Sequence, residues 1–213
     1  MKKQAFIVVV MCLVMVFSLA GCVKVVQIGH EGDLTGDVAF NAAENVADLW
    51  ESQAIPLLQK EAVDLPQFLT ESNGNLKALA KKYGRYSMGD KGELSYVVKG
   101  QGKVMEVNRE KKAGFLLMKI DGYDGPTIVK LQIGTVYKGS AVRDRLEFIK
   151  YEDYKNQVDW AKVSQSIHDV VNKKIIEKLD MDTLKGKNIK FIGCFTVDKA
   201  DEILITPVEV TVQ

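Results

Sequence analysis

The most definite chemistry in the chain belongs to Cys22. The tetrapeptide Leu19-Ala20-Gly21-Cys22 closes an apolar run from Ala5 to Leu19, which follows Met1-Lys2-Lys3-Gln4. A basic start, a short apolar stretch and small residues at its end describe a secretory signal peptide. The run is shorter than the roughly 20 apolar residues a spanning helix needs. Leu-Ala-Gly-Cys is also the pattern of the bacterial lipoprotein box. Small residues there admit a dedicated peptidase, and the cysteine thiol is diacylated before cleavage makes it the new N-terminus. Each buried CH₂ contributes roughly 0.8 kcal/mol, so two or three acyl chains (palmitate or similar) hold a soluble domain on a bilayer. The expectation is therefore a chain lipid-anchored through Cys22 to the bacterial cell membrane, on its extracytoplasmic or periplasmic side.

No other motif is as specific. His30 and His168 lie far apart, and neither has a second zinc-type ligand three or four residues away. His168, one residue past the apolar position Ile167, reads as a helix-surface residue. Asp121-Gly122-Tyr123-Asp124-Gly125 lacks the acid spacing and the distal Glu of a calcium loop, so it reads as a turn. Gly100-Gln101-Gly102 precedes a strand and lacks the third glycine of a dinucleotide site, and Lys185-Gly186-Lys187 is not a P-loop. Gly139-Ser140-Ala141 is not a nucleophile elbow. Metal, cofactor and catalytic residues are accordingly all assigned as none.

One stretch combines planar polar groups with aromatic rings. It contains Gln132, Arg143, Asp144, Asn156 and Gln157, with Phe148, Tyr151 and Tyr154 interspersed. Rings that stack and amides that fix orientation suit a sugar, another small polar ligand or a partner. The competing reading gives the same residues a structural task, an Arg–carboxylate pair and amides that satisfy turn backbone.

Composition narrows the field further. The 213 residues carry 29 Lys+Arg against 28 Asp+Glu, a formal charge of +1, which excludes the basic footprint of a nucleic-acid binder. Loss of residues 1–21 removes Lys2 and Lys3 and no acid, leaving a charge of −1. Polybasic attraction to lipid is then not expected as a second anchor. Of the three cysteines, Cys12 leaves with the signal and Cys22 is acylated. Cys194, inside the apolar run Phe191–Phe195, reads as an inert core residue.

These groups need a scaffold, and the hydrophobic periodicity supplies one. After a tether at 22–39 loosened by Gly29, Gly32 and Gly36, residues 40–93 form a helical segment packed on a barrel. Its apolar stripe runs Val46, Trp50, Ala54, Leu57 and Leu58, interrupted at Pro56, where a kink or split is expected. From Leu94 the period becomes two, predicting strands at 94–99, 102–108, 114–120, 127–133, 189–197 and 203–212. A strand or turn is expected through 134–149. Residues 159–179 return to helical spacing, within an insertion at 153–181. Pro207 marks the last strand as an edge or a bulge. The fold class expected is α+β, a small OB-like antiparallel β-barrel (residues 94–213) with an N-terminal helical segment and a helix before the last two strands.

The run Val129–Asp144, then Phe148-Ile149 and Tyr154–Ala161, resembles a bacterial family of predicted periplasmic lipoproteins of unknown function. The likeness extends to Trp50 with Ile55-Pro56, to Lys99–Val104, to Gly186-Lys187 with Phe191–Gly193, and to Ile205–Val208. Such proteins are often encoded beside ribose-type sugar ABC transporters. The resemblance implies an accessory lipoprotein for carbohydrate uptake and carries no catalytic residue. With the lipoprotein box, the lack of a catalytic constellation, the polar-aromatic stretch and the balanced charge, the expectation is a non-enzymatic protein that binds a transporter subunit, a solute-binding protein or a small polar ligand, and no nucleic acid. The alternative is an envelope hydrolase or glycan-modifying enzyme, and two carboxyls facing one cleft would favour it.

Overall fold

The computed structural model describes residues 46–47, 49–154 and 156–213; the signal peptide, Cys22 and the tether lie outside the described residues. The described residues all belong to one compact unit, Ala42–Gln213.

A π-helical turn, Trp50–Ala54, runs into helix α1, Ile55–Glu61. Pro56 falls in the first turn of α1, directly after the π turn, so its missing N–H coincides with a change of helix type. The expected interruption is therefore a split between a π turn and an α-helix. Trp50, Ala54 and Leu58 of the predicted stripe are all buried. After the two-residue strand β1 (Val63–Asp64) comes α2, Leu65–Ser72, capped by the Asp64 side chain, which accepts from Gln67 N at 3.1 Å. Helix α2 ends at Asn73 with φ 45°, a left-handed C-cap. A 3₁₀ turn at Leu76–Leu79 leads into α3, Ala80–Tyr83.

The strands that follow are β2 (Arg85–Met88), β3 (Lys91–Asn108), β4 (Phe115–Ile120) and β5 (Ile128–Gln132). Two helices come next, α4 (Ala141–Arg145) and α5 (Gln157–Lys174), then β6 (Asn188–Thr196) and β7 (Glu202–Val212). Together they make a mixed α+β fold around one seven-stranded sheet. Strand β3 pairs antiparallel with β4 and with β6, β4 with β5, and β6 with β7. The circuit is completed by β5 and β7, which are parallel, in contrast to the all-antiparallel expectation. A parallel pair needs a long crossover, and α4, α5 and β6 supply it.

Several boundaries differ from those expected, each for a physical reason. The strands predicted at 94–99 and 102–108 are one 18-residue strand, and Gly100-Gln101-Gly102 lies inside it, not at a turn. Gly102 sits where β3 exchanges partners: a Cβ there would lie 2.2 Å from Lys119 O. The absent side chain thus permits two backbones to meet. Strand β2 lies inside the segment expected to be helical, and the stretch at 134–149 holds the short helix α4. Pro207 lies at a register shift between β6 and β7, a bulge that suits its missing N–H.

The core is contiguous. Phe68 of α2 meets Tyr96 of β3 at 4.7 Å and Phe195 of β6 at 5.8 Å, both edge-on. The Tyr96 hydroxyl donates to Leu76 O at 2.6 Å, and burial raises its pKa to about 12. Helix α5 buries Val163, Ile167, Val170 and Val171, the stripe its spacing predicted. Cys194 is fully buried and free, and burial raises its pKa, suppressing the thiolate.

Candidate functional site

Helix α4 carries the unusual chemistry. Five residues long, it buries every one, including the consecutive charges Arg143, Asp144 and Arg145. Buried charge is tolerated only when paired, and the pairs reach remote segments. Arg143 donates through Nε and Nη2 to Asp144 Oδ1 at 2.9 and 2.7 Å, and through Nη1 to Trp160 O at 3.3 Å. Its guanidinium lies 4.1 Å over the Trp160 ring, which Tyr151 and Tyr154 approach at 5.7 and 5.2 Å. Arg145 forks onto Glu61 Oε2 at 2.5 and 3.1 Å and reaches the carbonyls of Tyr83 and Ser95, each at 3.4 Å.

Asp144 is less fully served. Its side chain is 0% exposed, Oδ1 takes both Arg143 bonds, and Oδ2 has no partner. Burial raises its pKa, opposed by the Arg143 charge and hydrogen bond. Thr196 Oγ1 and Arg85 Nη1 are also buried without a hydrogen bond; the latter lies 3.1 Å from Glu147 Oε1 but is not aligned for one. Arg85, Ser95 and Thr196 occupy one row across β2, β3 and β6. The field of Arg85 reaches Asp144. A polar row, incompletely satisfied, thus runs beneath α4.

The other residues of the predicted cluster are placed apart from this row. Gln132 is buried and pins the loop after β5: Nε2 donates to Thr206 Oγ1 (2.8 Å) and Lys138 O (3.2 Å), and Oε1 accepts from Lys138 N (2.7 Å). Asn156 is the N-cap of α5, its Oδ1 accepting from Asp159 N at 3.0 Å. Gln157 is exposed at the first residue of α5. The structure therefore joins Arg143 and Asp144 to Trp160, gives Gln132 and Asn156 backbone partners, and leaves Gln157 on the surface.

Two clefts open nearby. One, of about 460 Å³, lies at Glu61, Tyr83, Arg85, Arg145 and Glu147, alongside α4. The other, of about 400 Å³, runs over β3, β6 and β7 at Asp64, Lys99, Gly100, Lys190 and Glu209. Each holds two carboxylates, and each carboxylate has a partner. Glu61 is bound by Arg145 and Glu147 faces Arg85. Asp64 caps α2, and Glu209 accepts from Gln59 Nε2 at 2.5 Å. Among the described residues no group of three or more His, Cys, Asp or Glu is arranged to hold a metal.

Sequence reading misses Arg85, Arg145, Glu61 and Thr196. Glu61 and Arg145 are 84 residues apart, and no local pattern links them. His168, expected on the helix surface, is instead buried, its imidazole stacked on Tyr137 at 4.6 Å and 18°. Burial lowers its pKa to about 4, with Arg143 acting in the same direction and Asp169 opposing. A 3.6-residue count from Val171 and Ser164 puts it on the inner face.

Residues 12–211 match the family described as predicted periplasmic lipoprotein (DUF2291), and the chain belongs to that family. Comparison with curated proteins gave no match. Among solved structures, the chain is similar to an OB-fold protein from Thermotoga maritima, with a TM-score of 0.65 and 18% identity over 83% of this chain and 100% of that one. At that identity the likeness concerns the fold. No helix among the described residues is long and apolar enough to cross a membrane.

Proposed function

We propose that the protein is a non-enzymatic, lipid-anchored accessory protein outside the cytoplasm, attached through acylated Cys22, whose OB-like barrel binds a partner protein or a small polar ligand. The partner we assign is a component of a sugar ABC transporter or its solute-binding protein. The observation that favours binding over catalysis is the state of the acids in the clefts. A glycan-cleaving pair needs one carboxyl free to donate a proton and a second free to act on the sugar or on water. Here Glu61 and Glu147 are engaged by arginines, Asp64 by a helix N-terminus and Glu209 by Gln59. Paired charges with planar guanidinium edges suit recognition instead.

The test is capture of the acylated protein from cross-linked membranes, read by mass spectrometry. Enrichment of a transporter subunit or a solute-binding protein over a Cys22→Ala control supports the reading. A capture indistinguishable from that control refutes the partner. Metabolic labelling with an alkynyl palmitate checks the anchor separately, since label retained in Cys22→Ala would place the acyl chain elsewhere.

A further inference from the structure

The near-zero net charge conceals an uneven distribution. Along one face of β3 lie Lys99, Gln101 and Lys103, each paired across the strand gap with β6. Lys103 stands directly opposite Lys119 of β4, and Gln101 opposite Lys190 of β6. The turn before β6 adds Lys185 and Lys187, and is held against β3 by Val104 N to Lys187 O (2.9 Å) and Gly186 N to Val104 O (2.8 Å). All five of Lys103, Lys119, Lys185, Lys187 and Lys190 are exposed. None forms an ion pair with a described residue; Lys187 alone has a side-chain bond, to the Thr183 hydroxyl at 3.1 Å. Acids border the group at Asp121, which accepts from Gln101 Nε2 at 3.0 Å, at Asp180, which accepts from the Thr183 hydroxyl at 3.0 Å, and at Asp64 and Glu209, which share a cleft with Lys190.

Like charges directly opposite on neighbouring strands are destabilising, and Lys103 against Lys119 is such a pair. Some lysines elsewhere are answered by acids, as in Lys130–Glu202, Lys138–Asp198 and Lys174–Glu51. The five lysines gathered on this face have no ion pair with a described residue, so the face is complementary to an external anion. It is also broad and follows a sheet, which suits an extended anionic surface better than a single small ion.

We propose that this lysine face docks the domain on the phosphodiester headgroups of anionic lipid in the membrane that carries the anchor. The 24 residues from position 22 to 45 span at most about 80 Å when fully extended. A domain of this size is roughly 40 Å across. The anchor alone therefore leaves every face able to meet the bilayer, and the surface charge of the domain selects one. Each lysine held near an anionic leaflet contributes roughly a fivefold gain in partition, so five of them suffice to bias the orientation. The proposal rests on the extracytoplasmic, membrane-anchored reading above. It places the second cleft, which includes Lys190, at the rim of the lipid contact, and directs the Glu61–Glu147 cleft and α4 elsewhere.

The experiment is lysine footprinting of the protein purified from membranes. The chain is incubated with vesicles of phosphatidylcholine alone, with vesicles of equimolar phosphatidylcholine and phosphatidylglycerol, or with native membranes, and exposed briefly to an amine acetylating reagent. Peptide mass spectrometry then gives a rate for each lysine. The expected result is that Lys103, Lys119, Lys185, Lys187 and Lys190 react at least threefold more slowly on the anionic vesicles than on the neutral ones. Lys60 and Lys77, exposed on other elements, and Lys99, which shares its row with Asp64 and Glu209, change less. Protection should vanish at high salt, where at 1 M the screening length is about 3 Å. Equal rates on both vesicles overturn the proposal, as does protection seen only in native membranes, which would mean a protein partner. The mass of the Cys22 peptide in the same digest reports acylation, so a failure of the anchor is distinguishable from a failure of the docking face.

Discussion

A buried, neutral histidine makes stability depend on pH in a way that can be calculated. His168 is 8% exposed and stacked on Tyr137, and its pKa falls from 6.5 to about 4, mainly because burial penalises the imidazolium. The folded state therefore binds its proton less readily than the unfolded state does. The stabilisation is complete above pH 6.5, is lost as pH falls from 6.5 towards 4, and changes no further below that. The whole interval corresponds to about 3.4 kcal/mol at full protonation, and between pH 8 and pH 5 the expected loss is about 2 kcal/mol. Carboxylates also titrate in this range, so the decisive measurement is a difference. His168→Phe keeps a ring against Tyr137 and removes the titrating group. Urea unfolding of the wild type and His168→Phe at pH 8 and pH 5, with m-values compared, gives four free energies. The wild type should lose about 2 kcal/mol more than the variant on acidification. Equal losses in the two proteins would refute the assignment of a buried neutral imidazole, as would an NMR titration in which the His168 ring protonates near its ordinary pH.

Gly102→Ala places a methyl 2.2 Å from Lys119 O, where only backbone can yield, and chemical denaturation should register a loss of about 2 kcal/mol or more. Asp144→Ala leaves the Arg143 guanidinium buried without its carboxylate, and should cost about 3 kcal/mol by the same measurement; an unchanged midpoint would show that Trp160 alone holds Arg143. Cys194 is fully buried with its thiolate suppressed, so in the acylated protein Ellman's reagent should detect no thiol in buffer and one in denaturing urea.

The parts of the fold that are legible in the sequence are those with a long apolar period. The stripe Val163, Ile167, Val170 and Val171 predicts α5, and the alternation in β6 and β7 predicts two strands, with Pro207 marking an edge or a bulge, of which the structure has the bulge. The resemblance to a lipoprotein family, drawn from motifs distributed over the mature chain, holds as well. Strand β3 reads as two strands divided at Gly100-Gln101-Gly102 because two glycines around a polar residue are good turn chemistry. Their actual task is set by β4, a separate segment whose backbone comes too close for any side chain at Gly102. Helix α4 is hidden for a related reason. Arg143-Asp144-Arg145 has no apolar period to mark a helix, and its burial depends on Glu61 and Trp160, which arrive from distant parts of the chain to pair with it.

Charge illustrates the same difference between what a sequence sums and what a fold arranges. A balance of −1 over residues 22–213 argues against electrostatic attraction to lipid if charge is spread evenly. Evenness is a property of three dimensions, and the pairing register removes it. Positions 103, 119 and 190 have no periodic relation along the chain, yet cross-strand neighbours lie about 5 Å apart in a sheet. The screening length at physiological salt is about 8 Å. An anion at that face therefore meets the lysines within its own screening distance, set against the few acids that border them and not against the net charge of the whole chain. Net charge governs solubility and long-range approach, while the register governs contact. The proposed docking face rests on the second quantity.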